Sequence, residues 1–430
     1  MGAPDIHSSS SSTSKATTPA TDPDYRFPWV ALLILAAAVF VAVTSEFVPV
    51  GLLLDLSRTF DVSEAQVGSL VTIFAGAVVL SAAPLTALTH RFPRKTLVIV
   101  VLLVFAVGNG LAAVAPTFEV LVVARIIGGI AHGLFWSVVG AYASYMVPRH
   151  HIGRAVAITS GGGSAAFILG VPLGTALGHE VGWRLTFAIL GGAIFVIILL
   201  VLKFLPAIKH GEQLNTGEIS IPMRKDRTLL GVIFICSIVV VVMTGQYLFY
   251  TYISPYLTQT AGFDEETIPG VLFLFGGAGA IGLVFAGFLG DRFPRGALIV
   301  SVGVVAASVL AIALFPTVTA VVLTAIVVWA IAFGGIPAMM QAKLLHTASA
   351  RIRDASSAWY TSSFNLAIGF GAFVGGAMLN TYGLRVLPFA DFALLLAGLV
   401  LIIVSNAILR SRERKRVAAR PTNSIPIIRK

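Results

Sequence analysis

The stretches "HRFPRK" (90–95) and "DRFPRG" (291–296) spell almost the same word at an offset of 291 − 90 = 201 residues. The same shift lays Phe74 on Phe275, Gly76 on Gly277 and Ala77 on Ala278. A chain of 430 residues is thus read as two copies of one ancestral unit. The residues around the repeat say what kind of unit it is. Of the whole chain 57% is hydrophobic and only 11% charged, with mean hydropathy +0.93, whereas a soluble domain carries roughly 25% charged residues. Apolar runs of about 20 residues, enough to cross ~30 Å of hydrocarbon as a helix, recur along nearly its full length.

With charges, Pro and Gly as punctuation, helices are expected at 29–54, 66–88, 96–115, 119–146, 153–178, 184–205, 229–257, 267–289, 297–316, 319–345, 353–380 and 385–409. The fold class is therefore an all-α membrane protein of twelve transmembrane helices in two pseudo-symmetric six-helix halves. Residues 1–28, rich in Ser, Thr and Pro, read as a disordered tail. The first half spans 29–205, a polar linker 206–228, the second half 229–409, and a basic tail 410–430. The first apolar run outlasts a cleavable signal segment of about 7–15 residues and reads as a retained helix. Cys236 stands alone, without a partner for a disulfide or metal site.

Short loops rich in Lys and Arg stay cytoplasmic. Arg91, Arg94, Lys95, Arg149, Arg154, the linker and the tail "RSRERKRVAAR" fall on one side, with acids such as Asp61, Glu64, Asp264, Glu265 and Glu266 on the other. Both termini are thereby expected inside, and the net charge of +10 suits contact with anionic headgroups rather than nucleic acid. A parallel repeat implies a pseudo-two-fold axis along the membrane normal and a shared cavity that opens to either side by rocking.

One acid sits in the oil. "VAVTSEFVPV" (41–50) carries Glu46, and an ionised carboxylate at membrane depth costs a few kcal/mol or more, so it pairs, protonates or faces a wet path. Glu46 lies ~12 Å below the outer end of its helix and Arg125 ~9 Å from the outer start of the fourth, at 1.5 Å per residue. Their depths agree. A neighbouring guanidinium favours the ionised glutamate and burial the protonated one, so substrate or conformation can tip the balance. Glu46 is the expected proton carrier, with a structural ion pair to Arg125 that never titrates as the alternative. His132 and Trp136, i and i+4 on one helix face, and Gln246, Tyr250, Trp359 and Asn365 in the second half are candidates for a substrate cavity, with ordinary helix packing as the alternative. Gly170, Gly174 and Gly178, with Pro172 between, form a small-residue face for close helix packing and a kink.

The chain resembles the major facilitator superfamily. "GFLGDRFPRG" (287–296) is similar to its signature loop between the second and third helix of a half. "TSEFVPVGLL", "ARIIGGIAHGLFWSVVGAYASYMVP", "GGGSAAFILGVPLGTALG", "GWRLTF" and "TYISPYL" resemble most the drug:proton antiporter group that includes bacterial sugar, arabinose and nucleoside effluxers. The resemblance implies that Arg125 takes part in proton coupling and that Arg91, Arg94, Asp291, Arg292 and Arg295 belong to gating loops. It places the Gly/Pro face of the fifth helix at the contact between halves. It further implies efflux of a small organic solute, action as a monomer, and residence in the bacterial cell membrane. In the first copy the signature aspartate is His90 and the second glycine Pro93, which puts a latch there in doubt and makes His90 a candidate pH-sensitive contact.

An enzyme is the competing class. G-x-S-x-G is absent, Ser164 preceding two alanines in "GGGSAAF"; His150 and His151 lack H-E-x-x-H spacing; and no G-x-x-x-x-G-K-[ST] supplies a nucleotide site. No cofactor is called for, and for an active transporter the expected energy source is a gradient, of protons first. A passive facilitator, with Glu46 and Arg125 as substrate ligands, stays open at this point, as does the substrate: sugar, nucleoside or drug.

Overall fold

A computed structural model describes residues 27–89, 92–148, 151–206, 226–293, 296–349 and 351–418. Among the described residues are twelve helices long and apolar enough to cross a membrane. They are α1 (Trp29–Gly51), α2 (Glu64–Thr89), α3 (Arg94–Ala113), α4 (Phe118–Tyr145), α5 (Ile152–Val181), α6 (Trp183–Phe204), α7 (Leu229–Tyr250), α8 (Glu265–Ala286), α9 (Ala297–Leu314), α10 (Thr319–Thr347), α11 (Ala355–Tyr382) and α12 (Leu384–Leu409). Most of the large apolar side chains left exposed, Leu80, Val284 and Phe285 among them, lie on these spans, as expected of surface solvated by lipid.

The repeat is written into the backbone. The described residues with left-handed φ are Asp61 (52°), Gly182 (88°), Gly262 (76°) and Gly383 (78°). They form two pairs, and each pair is 201 residues apart, because 262 − 61 and 383 − 182 both equal 201. The first pair ends the turn before the second helix of each half. The second pair separates the fifth helix from the sixth, where Gly escapes the Cβ clash of this conformation.

Two helices end earlier than expected, and again as a pair. α1 stops at Gly51 and, after Leu52, the chain turns into the short helix Leu53–Phe60 rather than running on to 54. α7 stops at Tyr250 rather than 257; a turn at Thr251 and Tyr252 leads to Ile253–Pro255 and the π-helical turn Tyr256–Thr260. Hydropathy does not mark these breaks, since every residue from 41 to 54 and from 242 to 257 is buried.

Within each half the second helix packs on the fourth (α2–α4, α8–α10) and the first on the fifth (α1–α5, α7–α11). Across the seam α2 meets α11 and α5 meets α8, contacts that exchange under a pseudo-two-fold axis. Both halves brace one end alike: Tyr142 Oη donates to the Pro206 carbonyl, and Lys343 Nζ donates to Asn406 Oδ1 at 2.8 Å. These two donors, 343 − 142 = 201 residues apart, reach from the fourth helix of a half to the end of its sixth.

The glycine face of α5 turns out to serve its own half. A Cβ on Gly170 would lie 1.9 Å from Thr44 Oγ1, on Gly174 2.5 Å from Val48 Cγ2, and on Gly178 2.3 Å from Leu52 Cδ2, all on or beside α1. This corrects the expectation that the face seals the seam. At the seam it is the α5 backbone at Phe167 and Ile168, in the π-helical turn Ala166–Gly170, that presses on Gly276 of α8, whose Cβ would meet Phe167 O at 2.3 Å. Pro172, two residues past that turn and buried, lacks an N–H for the helix ladder; the wider turn before it absorbs the defect.

Candidate functional site

Glu46 is buried in α1, and three residues beyond it Pro49 interrupts the helix. A proline has no N–H, so the Ser45 carbonyl four residues earlier loses its helical donor. Arg125 of α4 fills the gap: Nη1 donates to Ser45 O and Nη2 to Glu46 O, each at 2.8 Å. The guanidinium also lies over the Phe74 ring of α2, 4.3 Å from its centroid, a favourable cation–π geometry. Arg125 is 3% exposed, so its charge is answered by carbonyls and a ring face instead of water.

The pairing of Glu46 with Arg125 expected from their depths takes an indirect form. No ion pair joins the two side chains, because the guanidinium is spent on the backbone that carries Glu46. The carboxylate faces His132, with Oε2 3.4 Å from Nε2. His132 is not an open cavity wall: it is 2% exposed, ringed by Phe74, Phe105 and Phe135 at centroid distances of 5.3, 5.8 and 6.3 Å. Its Nε2 accepts a 2.6 Å hydrogen bond from Trp136 Nε1, and its Nδ1 has no partner. Trp136 is half-buried and reaches toward Gly163 of α5.

The second half has a different interior. Glu46 shifted by 201 is Tyr247 and Arg125 shifted by 201 is Ile326. The link between first and fourth helices is here Trp329 Nε1 donating to Gln246 Oε1 at 2.8 Å, and Gln246 is the repeat partner of Ser45. Gln246 and Tyr250 are both buried, Tyr250 between Phe275 and Trp329, so neither presents an open polar surface in this conformation. Asn365 is buried and donates to Thr361 O of its own helix, while Trp359 is 45% exposed. Of the gating-loop residues, Arg94 opens α3, and Arg292 is exposed in the last turn of the helix Ile268–Arg292, which extends past the α8 span. The Asp291 backbone is helical; His90, Arg91 and Arg295 lie outside the described residues.

One buried acid escaped the sequence reading. Asp391 of α12 is wholly buried and neither carboxylate oxygen has a hydrogen-bond partner. It sits against Gly245 of α7, where a Cβ would come 2.6 Å from Asp391 Oδ1. The same signal that exposes Glu46, a single charge in an apolar run, was available in "LPFADFALLL" (387–396). Among the described residues no group of three or more His, Cys, Asp or Glu side chains could hold a metal ion.

The sequence model of the Major Facilitator Superfamily matches residues 35–357 and 235–429. The chain belongs to that superfamily. Solved structures show the same fold at low identity. A bacterial homolog of the human lysosomal transporter Spinster, in an inward-facing and unoccupied conformation, aligns with TM-score 0.69 at 17% identity over 89% of this chain and 96% of that one. A D-xylose-proton symporter aligns with TM-score 0.72 at 17% identity over 87% and 97%, and a mutant of the nucleoside transporter NupG with 0.72 at 14% over 87% and 99%. The superfamily and its twelve-helix fold make this a multi-pass membrane protein, with transport rather than catalysis as the function of the class.

Proposed function

We propose that this major facilitator is a proton-coupled secondary transporter that exports a small organic solute, a sugar, nucleoside or drug, with Glu46 as the proton carrier. The observation that carries the reading is Glu46 itself, a buried acid beside a guanidinium pinned to backbone carbonyls. Because Arg125 does not neutralise the carboxylate directly, a small change in geometry or access alters which charge state is favoured. Had the two formed a bidentate ion pair, the acid would be locked ionised.

The basic loops and the linker set one end of the bundle on the cytoplasmic side. At the opposite end the halves are joined: Arg58 pairs with Glu265, Gln259 donates to Glu64, and Ser254 donates to the Val50 carbonyl at 3.0 Å. A bundle joined there and rocked open at the basic end is the form that takes solute from the cytoplasm. The next step is opening outward, solute release and proton capture by Glu46, followed by return. Sugar and nucleoside substrates are suggested by the names of the xylose symporter and the nucleoside transporter; antiport is suggested by the helix 1, 4, 5 and 7 segments quoted above.

Proteoliposomes under an imposed pH step test this with xylose, arabinose and uridine as probes. Accumulation against a gradient, lost in Glu46→Gln while solute exchange at equal concentration persists, is the expected result. Uphill transport by Glu46→Gln would remove Glu46 from the coupling, and equilibration without accumulation by the natural protein would make it a facilitator.

A further inference from the structure

His132 offers one lone pair to two claimants. Its Nε2 accepts the Trp136 indole N–H at 2.6 Å and stands 3.4 Å from Glu46 Oε2. An imidazole nitrogen that accepts a hydrogen bond carries no proton, so the ring is neutral with hydrogen on Nδ1. That N–H finds no polar partner, and the ring is packed among Phe74, Phe105 and Phe135, which leaves Nε2 as its polar port. If Glu46 passed its proton to Nε2, the new N–H would collide with the indole N–H. The Trp136 bond and an imidazolium–carboxylate pair therefore exclude one another.

The three partners differ in access. Glu46 and His132 are 5% and 2% exposed, whereas Trp136 is half-buried and the most accessible of the three. We infer that Trp136 is the coupling residue of this transporter: a planar or sugar-like solute that stacks on its indole draws the N–H off His132, and the freed Nε2 becomes a second station for the proton held by Glu46. In that step the Glu46 O–H bond breaks, an N–H bond forms at His132 Nε2, and carboxylate and imidazolium remain as an ion pair; no other group is consumed. The charged and titratable groups facing His132 and its partner are Glu46 of α1, Arg125 of α4 and, beside Glu46, Tyr247 of α7; α2 and α3 contribute Phe74, Phe105 and the neutral amide Asn109.

This inference rests on the proton-carrier reading of Glu46 but is tested without solute or transport. Solid-state nitrogen NMR of histidine-labelled protein in lipid bilayers separates neutral imidazole from imidazolium, and the His132 signal is assigned by its loss in His132→Asn. The natural protein is expected to show neutral His132 with a non-protonated Nε2. Trp136→Phe, which keeps a ring but removes the donor, is expected to show imidazolium, and adding Glu46→Gln to return it to neutral. Imidazolium in the natural protein, or neutral His132 in Trp136→Phe, overturns the inference. A Trp136→Phe protein without a cooperative thermal transition is replaced by Trp136→Leu, for which the same outcomes apply. If the NMR pattern holds and Glu46→Gln still drives uphill transport, the carrier reading fails while the shared lone pair stands; the converse result spares the carrier and removes Trp136 from the coupling.

Discussion

Pro49 shapes the site without carrying a charge, because it frees the Ser45 carbonyl to which Arg125 donates. Pro49→Ala would give that carbonyl a helical N–H and set it against the guanidinium. Transport should fall by about tenfold, the equivalent of ~1.4 kcal/mol, with little loss of thermal stability, as measured in proteoliposomes and by thermal unfolding. Arg125→Lys is expected to be worse. An ammonium cannot serve two carbonyls and a ring face as a planar fork does, and the buried cation it leaves is poorly satisfied. At Asp391 the prediction is steric. Gly245→Ala should destabilise the protein by ~1–3 kcal/mol through overpacking, and Asp391→Ala in the same chain should restore part of the loss, a non-additivity that a double-mutant cycle reads.

Among elements, α5 makes the sharpest contrast between neighbouring residues. A Cβ on Gly162 would lie 2.0 Å from the Ala36 carbonyl oxygen of α1, while none of the surroundings of Gly161 comes within 4 Å. Gly162→Ala must push two backbones apart and is expected to lower the unfolding temperature; Gly161→Ala should be neutral or stabilising, since alanine is the better helix former by ~1 kcal/mol. The end of the linker is clasped to the segment just after α10 by Asp226, which accepts from the hydroxyls of Ser349 and its neighbour Thr228 at 2.6 Å each. The Ser349 hydroxyl, then Thr228, holds this carboxyl below its ordinary 3.8. A depressed value means that the ionised form supports the fold, so the contribution is present above the ordinary value and fades as pH falls through the lowered one. Amide exchange at Ser349, whose N–H donates to Thr228 Oγ1, should report a closed clasp from about pH 5 to 9 and an opening only in stronger acid.

For the whole molecule, the contacts that join the halves at the acid-rich end bear on the proposed alternation between two open forms. Arg58 and Glu265 are exposed, at 62% and 40%, and exposed pairs are worth ~0.2–1 kcal/mol. Together with Gln259 and Glu64 the polar latch therefore shifts the two-state balance by roughly twofold to tenfold rather than locking it. Gly68 and Gly376 add a packing component, because both make room for the Tyr252 hydroxyl, 2.2 and 2.7 Å from where their Cβ atoms would sit. Arg58→Ala combined with Gln259→Ala should raise the population joined at the basic end, seen as a second distance between spin labels across the seam. Gly68→Val should do so more strongly, since its side chain would occupy the space of Tyr252.

Twelve spans, their approximate limits and the twofold repeat were legible in the amino-acid sequence, because membrane solvent demands a continuous apolar run for each helix and a duplicated unit repeats its loops. That Glu46 is a buried acid was legible for the same reason: charge in hydrocarbon is conspicuous. Where its partners lie was not. Depth brought Arg125 to the right level, yet whether a guanidinium meets a carboxylate or a carbonyl depends on the missing N–H of Pro49 and on the rotation of α4, neither of which hydropathy records. The same limit hid the seat of Asp391 against Gly245 and turned the α5 glycines toward α1. In an almost uniformly apolar chain, sequence alone determined which segments are helices, while the side each helix presents to its neighbours was decided by close packing in three dimensions.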